Sequence, residues 1–139
     1  MEHFFLDTSF IIARFSPKDI NHKRALDVAK DHSSGIQGPV KWILSDYIFD
    51  ESVTTVLGLT RRWDQAQIVG AALLGSGVLS MSRVDEAAFD AAWTLFQSRK
   101  DKLWSFTDCT SFVLMNRLGI RKALTFDRNF TEAGFATIP

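Results

Sequence analysis

The run Phe4-Phe5-Leu6-Asp7-Thr8-Ser9-Phe10-Ile11-Ile12 limits what this chain can become more than any other stretch. A short apolar segment stops at Asp, passes through Thr and Ser, and turns apolar again. That order reads as a buried strand handing the chain straight to a helix. Asp7 then ends the strand, and Thr8 or Ser9 can cap the helix behind it. In open parallel α/β sheets the carboxyl ends of the strands are where ligands bind, because strand ends and helix starts meet there around a crevice. What else reaches that edge decides what the chain does.

The remainder of the chain repeats the strand-to-helix pattern. A first helix, through about Phe15, stops at Ser16-Pro17-Lys18-Asp19, and a second, over about residues 21–31, places Ala25, Val28 and Ala29 on one face. Ser33-Ser34-Gly35 and Gly38-Pro39 mark a loop, after which residues 40–44 form a second strand. Ser45 or Asp46 caps a third helix carrying Ile48, Val53 and Val56, and Asp64 is the expected cap of a fourth, which Gly75-Ser76-Gly77 breaks. Residues 78–84 read as a third strand. Asp85-Glu86 then opens an amphipathic helix whose expected core face is Ala88 or Phe89 with Ala92, Trp93 and Phe96, and which Arg99-Lys100-Asp101-Lys102 closes in solvent. Thr107 is the expected cap of the next helix and Gly119 its end. Residues 123–126 form a fourth strand delivering Asp127, and residues 136–138 a short fifth. Parallel neighbours need crossovers, and the crossover helices cover both faces, so the fold class is three-layer α/β around a parallel sheet.

At 139 residues the chain fits one domain, 1–139. Its 16 acidic and 16 basic residues cancel, which removes net basicity as an argument for nucleic-acid binding while leaving room for local basic patches. The single Cys109 excludes an intramolecular disulfide and suits a reducing compartment. No apolar run approaches the roughly 18 residues of a membrane span, and the start lacks a secretory pattern, so a cytoplasmic protein without a membrane partner is expected.

Asp7 and Asp127 hold matching positions, each ending an apolar strand. If those strands are neighbours, the two carboxylates emerge side by side. Asp108, at a helix start, faces the same rim, and Glu51, in the helix after the second strand, can reach toward it. Two carboxylates about 4 Å apart repel by roughly 4 kcal/mol at an effective dielectric near 20, so a convergence of three or four demands protonation or a cation. Oxygen ligands without His or Cys at ligand spacing favour Mg²⁺ or Mn²⁺ over Zn²⁺. Such ions polarise a phosphoryl oxygen and activate water, which is the chemistry of phosphodiester hydrolysis.

Four segments carry these acids: Leu6-Asp7-Thr8-Ser9, Asp50-Glu51, Phe106-Thr107-Asp108-Cys109-Thr110-Ser111 and Leu124-Thr125-Phe126-Asp127-Arg128-Asn129-Phe130. In that order, and across essentially the whole chain, they resemble a PIN domain, most of all the VapC-type toxins of bacterial and archaeal toxin–antitoxin modules. The resemblance implies a Mg²⁺- or Mn²⁺-dependent endoribonuclease with strand order 3-2-1-4-5, usually a homodimer, inhibited by a cognate antitoxin. Carried over by position, it makes Asp7, Glu51, Asp108 and Asp127 the catalytic and metal-binding acids, with Glu51 taken over its neighbour Asp50 on the resemblance alone. Thr8, Thr107 and Ser111 are expected to support them through hydrogen bonds.

An RNA backbone approaching an acidic pocket needs cations, and Arg14 or Arg128 is expected to touch it. Two other readings stand beside this one: a PIN-like partner-binding module with little nuclease activity, and a non-toxin RNA-processing nuclease. The identity of the RNA depends on groove shape and is not legible in these residues.

Overall fold

A computed structural model describes residues 1–33 and 38–139. The expected turn at Ser34-Gly35 falls outside the described residues. In chain order the elements are β1 (Glu2–Leu6), α1 (Thr8–Phe15), α2 (His22–Asp31), β2 (Val40–Ser45), α3 (Asp46–Thr60) and α4 (Trp63–Gly75). They continue with β3 (Leu79–Ser82), α5 (Glu86–Ser98), α6 (Phe106–Leu118), β4 (Lys122–Leu124), α7 (Asn129–Glu132) and β5 (Ala136–Ile138).

The five strands form one parallel sheet in the order β3-β2-β1-β4-β5, as expected, with helices completing a three-layer fold. β1 is central, paired on both sides, and its Phe4, Phe5 and Leu6 are all buried. Its register sets Leu6 beside Leu124 of β4, and the ladder runs one step further as the Asp7 amide donates to the Leu124 carbonyl at 3.1 Å. That step brings Asp7 level with Thr125 and close to Asp127. Phe10, Ile11, Leu44, Ile48, Phe112 and Leu124 are buried around this point. Each such side chain contributes roughly 1.5–3 kcal/mol by leaving water, so the sheet edge rests on a rigid floor.

Several local expectations need correction. Asp64 is not a cap: α4 starts at Trp63 behind Arg62, and Asp64 instead pairs with the Arg62 guanidinium at 2.8 Å. β3 is shorter than expected, ending at Ser82, where the Val84 amide leaves the ladder for the Asp46 carboxylate at 2.8 Å. α5 turns its small residues inward: Ala88 and Ala92 are fully buried, while Phe89, Trp93 and Phe96 are 44, 50 and 40% exposed. β4 stops at Leu124, two residues short, and the four-residue α7 was not foreseen.

Gly119 does end α6, with φ of +71°, a conformation glycine adopts without the steric cost a side chain incurs. Gly70 of α4 has a different purpose. A Cβ there would lie 3.3 Å from Val53 and 3.4 Å from Phe49 of α3, so a side chain at this position would force its neighbours to give by tenths of an ångström.

Candidate active site

Asp7 is both the helix cap and the floor of a cleft. It is the N-cap of α1, its Oδ2 accepting the Ser9 amide at 3.4 Å, which corrects the expectation that Thr8 or Ser9 would cap in its place. The same Oδ2 also accepts the Ser9 hydroxyl at 2.7 Å and the Thr125 hydroxyl at 2.8 Å. Neither hydroxyl has freedom to turn away. Ser9 Oγ accepts the Phe126 amide at 2.9 Å and Thr125 Oγ1 accepts the Asp127 amide at 2.9 Å, so each has one proton left and it goes to Asp7. Oδ2 is thus saturated, and among the described residues no hydrogen bond is made to Oδ1.

Asp108 and Asp127 are linked by a side chain that the sequence reading passed over. The Asn129 amide nitrogen donates to Asp108 Oδ2 at 3.0 Å and reaches Asp127 Oδ2 at 3.4 Å, while the Asn129 backbone amide donates to Asp127 Oδ1 at 2.9 Å. Asp108 is further fixed by a capping box. Ser105, not Thr107, is the N-cap of α6; its hydroxyl accepts the Asp108 amide at 3.0 Å and its amide donates to Asp108 Oδ2 at 3.0 Å. The N-termini of α1 and α6 therefore both sit at the acids, where the positive ends of their dipoles favour negative charge.

A cleft of about 500 Å³ opens over these groups. Its walls include Asp7, Glu51, Asp108 and Asp127, so the structure brings all four expected acids to one place. Asp50 is absent from the walls and bonds Thr54 along its own helix at 3.2 Å, which separates the two adjacent acids. Asp19 and Asn21, from the turn between α1 and α2, also line the cleft, and among the described residues no Lys, Arg or His does. Burial, with Asp108 and Asp127 adding to it, pushes the Asp7 carboxyl up to about 6 despite the two hydroxyls that oppose the shift. Burial likewise raises Asp108.

The expected supporting residues fare differently. Thr8 lines the cleft, but its hydroxyl has no partner among the described residues. Thr107 contributes a backbone carbonyl to the Thr110 hydroxyl, and the Ser111 hydroxyl is buried without a partner. Neither Thr107 nor Ser111 bonds an acid; Ser9, Thr125, Ser105 and Asn129 do so instead. Arg14 lies over the Phe15 ring at 5.4 Å, Arg128 precedes α7, and neither lines the cleft. The Cys109 thiol is buried and pushed up to about 11, which suits a core residue rather than a nucleophile.

Oxygen donors alone, gathered without any cation, fit a hard divalent ion. Among the described residues no three of His, Cys, Asp or Glu stand close enough to enclose an ion by themselves. The donor set therefore fits an ion gripped by one or two carboxylates and completed by water, as Mg²⁺ prefers.

The sequence matches the PIN domain family over residues 4–136. It is 30% identical over 135 residues to the 23S rRNA-specific endonuclease VapC20 of Mycobacterium tuberculosis, covering 96% of each chain. The crystal structure of M. tuberculosis VapC20, described as a sarcin-ricin loop cleaving toxin, superposes with a TM-score of 0.86 at 28% identity over 96% of both chains. VapBC2 of Rickettsia felis, at 10% identity, shares the fold with a TM-score of 0.67 over 97% of this chain and 96% of that one.

Proposed function

This chain belongs to the PIN domain family, and from that premise we propose that it is a metal-dependent endoribonuclease acting as the toxin of a toxin–antitoxin pair. The observation that carries the reading is the cation-free cleft in which Asp7, Glu51, Asp108 and Asp127 converge on one sheet edge. The similarity to VapC20 supports ribosomal RNA as the substrate class and the cytoplasm as the place of action.

Asp7, Asp108 and Asp127 would hold Mg²⁺ or Mn²⁺, one or two of them directly and the rest through the ion's water ligands, with Glu51 a further such contact or the residue that positions water. Such an ion, when bound, polarises the phosphoryl oxygen and makes water a nucleophile at neutral pH. The chain's own residues supply alignment. Ser9 and Thr125 turn Oδ1 of Asp7 outward by occupying Oδ2. Asn129 keeps Asp108 and Asp127 together against their repulsion, and Ser105 fixes Asp108 from the other side. Positioning of this kind lowers the barrier by removing reorganisation from the reaction step.

A cognate antitoxin would block the cleft by supplying the cation it lacks, and an Arg, through paired hydrogen bonds to carboxylates, suits that task. The half-exposed Phe89 and Trp93 of α5, packed beside Phe106, with Phe96 stacked on Trp93, support a homodimer with that face covered.

The test is cleavage of ribosomal RNA by purified protein, with 5′ ends mapped. Discrete cuts that need Mg²⁺ or Mn²⁺ and vanish in Asp7→Asn are expected. Equal cleavage by the variant would overturn the reading.

A further inference from the structure

A second cavity, of about 340 Å³, lies behind the loop joining α5 to α6, and its chemistry is the opposite of the cleft's. Arg99, Lys100 and Lys102 line it and no carboxylate does. Trp104 lines it too; this residue is only 6% exposed, yet its indole N–H has no hydrogen-bond partner among the described residues. A buried donor left unpaired is unfavourable and calls for an acceptor. Arg99 sits over the Trp104 ring at 5.0 Å while its guanidinium forks onto Asp101 at 3.0 and 3.1 Å. Lys102 pairs with Glu132 at 3.0 Å, and Lys100 has no ion-pair partner among the described residues. Exposed pairs such as these contribute little, so exchanging a carboxylate for another anion costs little.

The loop is also a wall of the cleft. Leu103 and Ser105 line the acidic side, and their chain neighbours Lys102 and Trp104 line the basic side. We propose that this basic cavity binds a backbone phosphate of the RNA next to the one cut in the cleft, with Lys100 and the Trp104 indole N–H as its donors. The proposal rests on the nuclease reading above. It resolves a conflict of charge: a chain of zero net charge must draw a polyanion onto a cleft walled by carboxylates, and a cation-lined subsite one residue away supplies the attraction. The run 99–102, expected to close a helix in solvent, thereby acquires a ligand.

Binding of a labelled RNA oligonucleotide carrying the mapped cut site, measured by anisotropy between about 50 and 200 mM salt, tests it. The protein is the full chain bearing Asp7→Asn, so that the probe stays intact. Adding Lys100→Gln should weaken binding severalfold and make the slope of log affinity against log salt shallower by about 0.7, the value for one contact to a single strand. Trp104→Phe keeps the ring under Arg99 and removes a neutral donor, so it should weaken binding with the slope unchanged. Lys30→Gln, on the exposed face of α2, should change neither. Should Trp104→Phe fail to fold, Lys100→Gln decides alone. Affinity and slope for Lys100→Gln equal to those of Lys30→Gln would overturn the proposal. So would unchanged RNA binding with weakened antitoxin inhibition, which would assign the surface to a protein partner. A wild-type chain that cuts no RNA would bring down the nuclease reading itself, a separate outcome.

Discussion

Changing Asp7 to Asn should make the metal-free protein more stable while abolishing cleavage. Asp7 is 4% exposed, and its carboxyl is pushed from 3.8 up to about 6, first by burial and then by Asp108 and Asp127. Because the folded carboxyl holds its proton up to about 6 rather than 3.8, ionising Asp7 costs the fold about 3 kcal/mol. The sign follows from which state holds the proton more tightly. Below about pH 4 the carboxyl is protonated folded or unfolded, and no cost exists; it grows as pH rises from about 4 to 6 and is complete above that. Asn is as good an N-cap as Asp, its carbonyl oxygen can accept the Ser9 and Thr125 hydroxyls, and its amide takes the place of Oδ1. Weaker hydrogen bonds to a neutral acceptor offset part of the gain, leaving about 1–3 kcal/mol. For a chain of this length that is a rise of roughly 3–10 °C in Tm. Thermal unfolding of both proteins in EDTA at pH 8 and at pH 4 measures it. The difference should be large at the first and near zero at the second, and Mg²⁺ should narrow it at pH 8 by stabilising only the wild type. A variant less stable than wild type at pH 8, or a gain equally large at pH 4, would refute the placement of Asp7 among uncompensated charges.

Other substitutions separate the roles of neighbouring residues. Asn129→Leu removes the amide between Asp108 and Asp127 and should lower cleavage by about 10- to 100-fold, read as initial rate against Mg²⁺ concentration. Thr125→Val leaves the Asp127 amide without its acceptor and takes from Asp7 one of its donors, so denaturant unfolding should show a loss of about 1–3 kcal/mol. Glu51→Gln should reduce cleavage strongly while Asp50→Asn stays near wild type in the same assay, because only the first residue lines the cleft.

The layers of the fold were readable because hydrophobic runs and amphipathic helices alternate throughout, and burial enforces both periods. The strand order came instead from family resemblance, since no local pattern says which strands are neighbours. Capping was misread for a physical reason. Asp7-Thr8-Ser9 offers three competent caps in succession and residues 105–108 offer Ser, Thr and Asp, so tertiary geometry selects among equals. On α5 the small and the aromatic residues share the helical period, and the expected face took members of both. Close packing against α6 admitted the alanines instead. Asp7, Asp108 and Asp127 were legible as strand-end and helix-start residues and Glu51 only through the family resemblance, whereas Asp19, in the turn after α1, and Asn129, opening the four-residue α7, were not, because their direction depends on the folded rim.

The close contact of α4 with α3 gives residue 70 an influence beyond its own helix. Glu51 projects from the stretch of α3 whose Phe49 and Val53 rest against Gly70. A single methyl there would displace that stretch by tenths of an ångström or force Phe49 and Val53 to give way. The setting of Glu51 in the cleft is thus open to adjustment from a residue that does not line it, leaving every group of the cleft itself unchanged.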